Sequence, residues 1–358
     1  MSKFHKLTVA SVRQETREAI VVTFDVPESL KDKFRYTQGQ HLTLRTQING
    51  EEVRRTYSIC SAVQDKRLRI AIKRVPGGLF SNWANDFLKP GTIMEIMPPT
   101  GQFYFPLAAE NHKHYVAFAA GSGITPIFSL LKTTLMTEPH SLFTLVYGNR
   151  SSSHVIFREE LADLKNLYRE RLNLVFIMSR EQQDIDLFNG RIDRAKCDAL
   201  LERWLDPTSI DAAFVCGPRE MMDDVTASLH AHGLSKAQIK TELFATSLRI
   251  TPSPTPVHEV VGDNECQVTV IQDGRTRQFT MEKNQESILE AGLAQGIELP
   301  YSCKGGICST CRCKLVSGEV DMNTCFALED YEIARGFRLL CQSYPVTDRL
   351  VLDFDQKT

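Results

Sequence analysis

Four cysteines carry the most specific chemistry in this sequence. Cys303, Cys308 and Cys311 lie close together and Cys341 follows further along, in the C-x4-C-x2-C…C spacing of a plant-type [2Fe-2S] site. A loop with ligands this close can wrap one cluster while its remaining amides point at the sulfides, and Gly305-Gly306 permits the backbone turns required. The fourth thiolate is expected on a distant strand. The pattern predicts one-electron chemistry.

A structural zinc site is the alternative, because Cys308 and Cys311 also form a C-x2-C knuckle and thiolates suit both metals. Zinc knuckles normally come as two such pairs, and here the second pair is missing. The step from Cys303 to Cys308 favours the ferredoxin loop. Cys313 could compete as a ligand, but its position predicts the start of a strand over residues 313–316, where a free cysteine is a small core residue.

Length and composition indicate an ordinary globular protein with two or three domains, since 358 residues exceed what one core serves. The net charge of −2 excludes a strongly basic surface, so no nucleic acid partner is expected. No apolar leader opens the chain, and no uncharged run is long enough to span a membrane. Ten cysteines are too sparse for a disulfide scaffold. We therefore expect a cytoplasmic protein without a membrane partner.

Charge is unevenly divided along the chain. From residue 263 onward there are 10 Lys and Arg against 15 Asp and Glu, a net −5, which leaves 32 against 29, a net +3, upstream. This asymmetry could help an acidic module dock on a basic one. Scattered solvated charges would explain it equally well.

The first module, residues 1–107, is predicted to be an antiparallel β-barrel. Short β-runs broken by turns such as Asn49-Gly50 are typical of this architecture. A single short helix is expected near residues 79–88. The β-runs are Ala19 to Val26, Val53 to Ile59, Leu68 to Val75 and Ile93 to Met97.

The second module, residues 108–248, is predicted to be an α/β doubly wound parallel sheet. Apolar runs alternate with helical patterns, which is the βαβ signature. The runs are Tyr115 to Ala120, Phe143 to Tyr147, Leu172 to Met178 and Ala212 to Cys216.

A linker over residues 249–262 precedes the third module, residues 263–358. Prolines alternate along 251–256 without apolar periodicity, which favours an extended join. Two strands flanking Asp273-Gly274 predict a hairpin, and a helix from Glu286 to Gln295 with Gly296 as its stop follows. Hairpin, helix and metal loop in this order indicate an α+β fold of the β-grasp type.

The segment Arg55-Thr56-Tyr57-Ser58 ends a β-run, and its alternate residues Arg55 and Tyr57 point the same way. The aromatic ring could stack on a flavin, the guanidinium could meet its pyrophosphate, and Ser58 could bond near the flavin N5. Further on, Gly77-Gly78-Leu79-Phe80-Ser81 runs into a helix whose first amides favour a phosphate. Surface residues on a barrel and a plain turn are the alternatives for each segment alone, and together they favour flavin binding.

A strand, glycine turn and helix at Gly121-Ser122-Gly123-Ile124-Thr125-Pro126 predict contact with a dinucleotide pyrophosphate. Pro126 fits the first helical turn, where no amide is needed. Cys216-Gly217-Pro218 opens a later helix and could pass a nicotinamide ring, although a buried cysteine is the stronger expectation. Ser179-Arg180 could hold an adenosine 2′-phosphate, or be an exposed pair.

The remaining candidates carry no predicted chemistry. Histidines 112 and 114 are expected to be solvated, because nothing nearby completes a metal site. No Ser-His-Asp or paired-carboxylate arrangement supports hydrolysis. The cysteines expected to be structural are Cys60, Cys197, Cys266 and Cys325.

Taken together, these motifs resemble the ferredoxin-NADP reductase family fused to a C-terminal plant-type ferredoxin, over essentially the whole chain. Within it, Tyr147-Gly148-Asn149-Arg150, Glu242-Leu243-Phe244, Cys303-Lys304-Gly305-Gly306 and Asp353-Phe354-Asp355 are most similar to reductase subunits of phenylacetyl-CoA epoxidases. The resemblance implies Glu242 and Phe244 near the flavin and nicotinamide, and Arg150 and Arg180 near the nucleotide phosphate.

The resemblance also implies an enzyme that carries electrons from NADPH through FAD and a [2Fe-2S] cluster to the oxygenase subunits of a multicomponent di-iron monooxygenase, as part of aerobic phenylacetate degradation. FMN and NADH remain alternatives, because this domain order also occurs in FMN-binding reductases. Rival functions are a reductase of a steroid or alkane oxygenase, a redox sensor, and a non-enzymatic zinc-stabilised interaction protein.

Overall fold

The computed structural model describes residues 4–244, 264–283 and 285–356, arranged as three modules. The linker expected at 249–262 lies outside these residues. No helix in the described part of the chain is long and apolar enough to cross a membrane.

The N-terminal module is a six-stranded antiparallel barrel with strand order β4-β3-β6-β1-β2-β5. It closes through the antiparallel bridge between Ile59 and Ile70, supported by the Cys60 amide donating to the Arg69 carbonyl at 2.9 Å. Asn49 and Gly50, both at positive φ, make the tight turn between β3 and β4. The elements are β1 His5–Thr16, β2 Ala19–Asp25, β3 His41–Ile48, β4 Glu51–Ser58, β5 Leu68–Lys73, α1 Leu79–Phe87 and β6 Ile93–Ile96.

The second module is a parallel five-stranded sheet with order β11-β10-β7-β8-β9, as the alternating apolar runs predict. Helices cover both faces of the sheet, and a hydrophobic cluster built from strand and helix residues lies at each face. The elements are β7 His114–Ala120, α2 Ile124–Thr137, β8 Leu142–Asn149, α3 Arg158–Leu167, β9 Leu172–Met178, α4 Arg194–Arg203, β10 Ala212–Gly217, α5 Arg219–Ala231 and β11 Ile239–Leu243.

The expectation that both histidines near β7 are solvated is wrong for one of them. His112 stacks on His140, with ring centroids 4.5 Å apart. His114 is half-buried, and its ring nitrogens meet Ser209 Oγ at 3.1 Å and Thr144 Oγ1 at 2.9 Å. This side-chain contact with Thr144 on the neighbouring strand β8 was not evident from the position of His114 in a predicted surface loop.

The third module has the five-stranded mixed sheet β13-β12-β18-β14-β16 and a small sheet β15-β17. Asp273 and Gly274, both at positive φ, turn the predicted hairpin. The predicted helix starts later than expected, because the Ser287 side chain accepts from the Glu290 amide and caps it there. The elements are β12 Glu265–Gln272, β13 Arg275–Glu282, α6 Ile288–Ala294, β14 Arg312–Ser317, β15 Val320–Met322, α7 Asp330–Ala334, β16 Phe337–Leu339, β17 Ser343–Pro345 and β18 Arg349–Asp353.

Barrel and nucleotide module are joined by a partly buried ion pair. Arg69 donates through both terminal nitrogens to the Glu160 carboxylate, at 3.0 and 2.8 Å, and Arg13 adds a third contact at 2.7 Å. Bidentate guanidinium–carboxylate pairs have a fixed geometry. These contacts link β5 and β1 of the barrel to α3 of the nucleotide module.

Candidate functional site

A cavity of about 440 Å³ lies where the three modules meet, a volume within the range of cofactor sites. Barrel residues, the first turn of α2, the end of β11 and the cysteine loop all contribute to its wall. Predicted site residues in the wall are Arg55, Thr56, Tyr57, Ser58, Gly78, Leu79, Phe80, Ser81, Ser122, Thr125, Glu242, Phe244, Cys303 and Cys308.

The barrel supplies an aromatic and a hydroxyl side chain at the end of β4. The Tyr57 ring packs against Phe80 of α1 with centroids 5.6 Å apart, and burial raises the pKa of its hydroxyl. Ser58 Oγ donates to Glu242 Oε2 at 2.9 Å. The exposed Arg55 donates to a neighbouring carbonyl, that of Arg54, at 2.7 Å, so its guanidinium can turn to an anionic ligand.

Helix α1 begins at Leu79 with its first turn in the cavity wall, as expected for a phosphate site. Gly77 has a φ of 72° and sets the turn, although it does not line the cavity. The Val75 amide donates to Ser81 Oγ at 3.1 Å and tightens this turn. The backbone amides at the start of α1 could thus contact a phosphate group.

The glycine turn of the nucleotide module packs directly on β10. A Cβ on Gly123 would lie 2.1 Å from the Cys216 carbonyl oxygen, so only glycine fits there. Gly121 has a φ of 55°, and its carbonyl accepts from the Tyr147 hydroxyl at 2.8 Å. Ser122 follows it into the cavity wall. Close packing of this turn therefore brings the start of α2 to the cavity.

Cys216 lies behind the wall rather than in it. It is fully buried on β10, is the register partner of Glu242 on β11, and burial raises the pKa of its thiol well above the usual value. Gly217 follows, and its absent side chain leaves room for the Met221 side chain. Cys216 as a residue that touches the nicotinamide stays a prediction.

Glu242 is a strongly perturbed carboxyl of the site. Burial raises its pKa to about 7, while the hydrogen bond from Ser58 opposes the shift. His41 Nδ1 lies 3.9 Å from Glu242 Oε1, and burial lowers the pKa of this imidazole to about 4. At neutral pH the histidine is uncharged, so it lends the carboxylate no positive charge. His41 was not among the residues predicted for the site.

The residues expected near the nucleotide phosphate lie outside the cavity wall. Arg150, Ser179 and Arg180 lie at the carboxyl ends of β8 and β9, and the Arg180 amide donates to the Arg150 carbonyl at 2.8 Å. The Arg150 guanidinium lies 3.9 Å from the Glu18 carboxylate. Their adjacency suits a phosphate, and their role stays a prediction. Lys73, which sequence reasoning missed, lines the cavity beside Gly121.

The four predicted ligand cysteines are in contact. Cys308 Sγ is 3.2 Å from Cys303 Sγ, and the amides of Gly305 and Cys308 donate to the same sulfur at 3.4 and 3.3 Å. Side-chain hydrogen bonds also link Cys341 to Cys303 and to Cys311. Contrary to expectation, Cys341 lies in the short turn Leu340–Gln342 rather than on a strand, because β16 ends just before it.

These contacts couple the ionisation of Cys303 to that of Cys308 and Cys341. Hydrogen bonds from Cys308 and Cys341 lower the pKa of Cys303, and the same contacts raise the pKa values of Cys308 and Cys341. A positively charged group among the sulfurs is needed before all four can be thiolates. The donor set, the amides aimed at sulfur and the turn at Gly306, where a Cβ would lie 2.5 Å from the Thr324 carbonyl, all suit a thiolate-held cluster.

Four thiols in contact are chemically suited to either metal. The cluster is favoured over zinc by the ligand spacing and by the loop amides that donate to Cys303 Sγ. Cys313 lies on β14 in the hydrophobic core, and burial raises the pKa of its thiol. A small core residue is what its position in the sequence predicted.

Each of the three modules matches the model of a known protein family. The model of the oxidoreductase FAD-binding domain matches residues 6–105, that of the oxidoreductase NAD-binding domain residues 118–227, and that of the 2Fe-2S iron-sulfur cluster binding domain residues 270–346. The expected cofactor classes, namely flavin, nicotinamide and a [2Fe-2S] cluster, are thereby confirmed.

Two curated relatives align over nearly the full chain. One is a subunit of the 1,2-phenylacetyl-CoA epoxidase of Escherichia coli (strain K12), 46% identical over 358 residues, which is 100% of this chain and 99% of the relative. The other is the ferredoxin reductase component of 3-ketosteroid-9-alpha-monooxygenase from Rhodococcus rhodochrous, 35% identical over 354 residues, covering 97% and 96%.

The solved structure of phthalate dioxygenase reductase, described as a modular structure for electron transfer from pyridine nucleotides to [2Fe-2S], covers 98% of both chains with a TM-score of 0.57 and 25% identity. The predicted order of barrel, parallel sheet and ferredoxin module is confirmed by this likeness. The chain is an oxidoreductase, and it belongs to the family of three-domain reductase components of multicomponent oxygenases, built from an FAD-binding, an NAD-binding and a [2Fe-2S] domain.

Proposed function

We propose that this chain takes electrons from NADPH and passes them singly to the oxygenase subunits of a di-iron phenylacetyl-CoA epoxidase. One observation carries the proposal: the residues suited to a flavin and the cluster ligands Cys303 and Cys308 line a single cavity. When bound, FAD accepts two electrons from the nicotinamide and releases them one at a time to a one-electron carrier. The chain supplies orientation, exclusion of water and proton control.

Binding of FAD is assigned to the barrel. Tyr57, held against Phe80, offers a ring face to the isoalloxazine, and the first turn of α1 offers amides to the pyrophosphate. Arg55, free to turn, adds a positive charge at the same wall. Phe244, which follows β11, also lines the cavity and packs against the hydrophobic core of the nucleotide module.

Proton control is assigned to Ser58 and Glu242. The Ser58 hydroxyl donates to a carboxylate whose pKa burial raises to about 7, so this pair can hold or release a proton at neutral pH. The buried imidazole of His41 stays neutral beside it, because burial lowers its pKa to about 4. Proton balance inside the cavity is therefore set by Glu242.

NADPH rather than NADH is supported by two arginines, Arg150 and Arg180, whose backbones are hydrogen-bonded at adjacent strand ends. Guanidinium groups recognise a 2′-phosphate by paired hydrogen bonds. None of the ten cysteines, all within the described residues, forms a disulfide, which suits a reducing compartment, and we place the protein in the cytoplasm. The full-length likeness to the Escherichia coli epoxidase subunit supports the choice of oxygenase.

Anaerobic titration with NADPH tests the electron path. The flavin and cluster absorbance of the purified protein should bleach together, whereas Cys341→Ser protein should bleach only its flavin band. Reconstitution tests the partner: oxygenase subunits of the Escherichia coli epoxidase should turn over phenylacetyl-CoA, and the oxygenase component of the 3-ketosteroid 9-alpha-monooxygenase should not turn over its steroid. Turnover with the steroid enzyme alone would refute the proposed partner.

A further inference from the structure

One carboxylate lies between two cations, one of which lines the cavity. Glu18 Oε2 is 3.7 Å from Lys73 Nζ, and Glu18 Oε1 is 3.9 Å from Arg150 Nη1. Lys73 and Glu18 belong to the barrel, whereas Arg150 directly follows β8 of the nucleotide module. Each carboxylate oxygen thus faces a different cation, and the three side chains form an ion triad that bridges the two modules.

The backbone holds Glu18 at this place. Glu18 lies in the turn between β1 and β2, where its carbonyl accepts from the Arg74 amide at 2.7 Å and its own amide donates to Thr16 Oγ1 at 3.3 Å. The next residue, Ala19, is the register partner of Lys73 across β2 and β5. Strand pairing within the barrel therefore puts the carboxylate beside Lys73, whether or not the two charges attract one another.

Both cations are placed where a dinucleotide carries phosphate groups. Lys73 Nζ would lie 3.8 Å from a Cβ on Gly121, the first residue of the glycine turn that favours a pyrophosphate. The Arg150 carbonyl accepts from the amide of Arg180, and we assign these two arginines to the 2′-phosphate. NADH and NADPH both contain the pyrophosphate, whereas only NADPH contains the 2′-phosphate.

The triad is weak enough to open. The side chains of Lys73, Glu18 and Arg150 keep 24, 39 and 53% of their surface exposed, and neither contact is at hydrogen-bond distance. Such ion pairs contribute little and are screened by salt. A phosphate group, which accepts charge-assisted hydrogen bonds, can take either cation from Glu18. Because the turn keeps Glu18 in place, its negative charge then repels the bound phosphates.

We propose that Glu18 sets the affinity of this site for nicotinamide nucleotides. It neutralises Lys73 and Arg150 while the site is empty and repels the phosphates once they are bound, so that spent NADP+ leaves readily. Its effect is larger on NADP+ than on NAD+, because only the 2′-phosphate competes for Arg150. Glu18 is thus a specificity-determining residue that touches no reacting atom. The inference rests on the proposed function, because it requires the nucleotide to bind at this turn.

Calorimetric titration of the FAD-loaded protein with NADP+ and with NAD+ tests the inference without turnover. Glu18→Gln keeps the size of the side chain and removes its charge. We expect this change to lower the Kd for NAD+ about threefold and the Kd for NADP+ about tenfold, since one opposing interaction is lost for NAD+ and two are lost for NADP+. High salt should reduce both gains.

Glu28→Gln is the matched control. It removes one negative charge from the same module, but Glu28 pairs with the exposed Lys31 and lies outside the cavity wall. Both Kd values should therefore stay within about twofold of wild type. A second comparison locates the 2′-phosphate effect: in Arg150→Gln protein, the Glu18→Gln change should lower the Kd for NADP+ only about threefold.

Stopped-flow displacement of NADP+ supplies a second readout, since Glu18→Gln should slow its dissociation by about the factor by which the Kd falls. Unchanged or raised Kd values in this variant would overturn the inference, because a carboxylate that only positioned the two cations would weaken binding when removed. Equal gains for both nucleotides contradict it as well. Wild-type protein that binds NAD+ more tightly than NADP+ would refute the proposed use of NADPH. Preference for NADP+ with no response to Glu18→Gln would refute the inference alone.

Discussion

Gly123 is a position where the structure leaves almost no room for a side chain. Its φ of −61° and ψ of −12° are helical, so alanine meets no backbone strain there. A Cβ would nevertheless lie 2.1 Å from the Cys216 carbonyl oxygen and 2.6 Å from its carbon. Both atoms belong to the backbone of β10 and cannot rotate away. Gly123→Ala must push the start of α2 off the sheet.

The expected magnitude follows from this contact. Overpacking in a close-packed interior costs about 1–3 kcal/mol, and replacing a glycine of compatible φ would otherwise stabilise by roughly 0.4–1 kcal/mol. Because the clashing atoms belong to the backbone, the cost should lie at the upper end of the overpacking range, which leaves a net loss of about 2 kcal/mol. Such a loss lowers the melting temperature of the nucleotide module by roughly 5–10 °C. Because Ser122 and Thr125 move with the helix start, the affinity for NADPH should fall as well.

Gly217→Ala is the matched control. A Cβ there would lie 2.6 Å from Met221 Cε, the mobile end of a flexible side chain. Calorimetry and NADPH titration of both variants measure the difference: Gly123→Ala should lose stability and affinity, while Gly217→Ala should lose less than about half as much of each. Equal melting temperatures and equal affinities would refute the steric argument.

Three further predictions concern the cavity and the cluster. Two barrel hydroxyls meet the cluster loop: Thr56 Oγ1 donates to Ser302 Oγ at 2.7 Å, and Thr43 Oγ1 lies 3.2 Å from Thr310 Oγ1. Thr43→Val with Thr56→Val should slow cluster reduction but not flavin reduction, by up to roughly 30-fold if each hydrogen bond contributes about 1 kcal/mol. Stopped-flow absorbance at the flavin and cluster bands measures both steps, and equal slowing of the two contradicts this prediction. The pKa of Glu242 is raised from 4.5 to about 7, so between these pH values the native protein keeps a proton that the unfolded chain has released. The contribution of this group to the free energy of unfolding therefore falls as the pH rises through that range, by roughly 3 kcal/mol. Glu242→Gln should remove that slope in urea unfolding between pH 5 and 8, and an unchanged slope would place the proton elsewhere. Cys341→Ser should abolish bound iron and acid-labile sulfide, whereas Cys313→Ser should retain both; loss in the second variant would make Cys313 a ligand.

The cluster loop was predictable because its chemistry is local. Three of the four ligands lie within one short loop, and their spacing distinguishes a plant-type cluster from paired zinc knuckles. The strands were equally predictable from the sequence. Alternation of apolar and polar residues in the barrel, and continuous apolar runs in the parallel sheet, indicate directly which residues are buried. The Asp273-Gly274 hairpin formed where the turn residues predicted it. The start of α6 was misplaced because the cap belongs to Ser287.

The shared cavity was not predictable in the same way. His41 and Glu242 are far apart in sequence, and nothing local to either shows that they approach within 3.9 Å. The hydroxyl pairs that hold the cluster loop join positions whose residue types are ordinary on any surface. Such contacts depend on how the folded modules pack against one another, and the hydrophobic periodicity of the sequence does not indicate them.

Residue type and spacing alone therefore determined which groups this protein carries: four thiol ligands, a glycine turn for a dinucleotide and an aromatic and basic strand end for a flavin. These are properties of short segments, because the backbone conformation that serves each one is chosen within a few residues. Only the tertiary structure decided that the cluster loop closes the flavin cavity, that Glu242 loses its water there, and that Thr43 and Thr56 meet the loop. Desolvation and docking depend on surfaces assembled from distant parts of the chain, and their energies exist only once those surfaces touch.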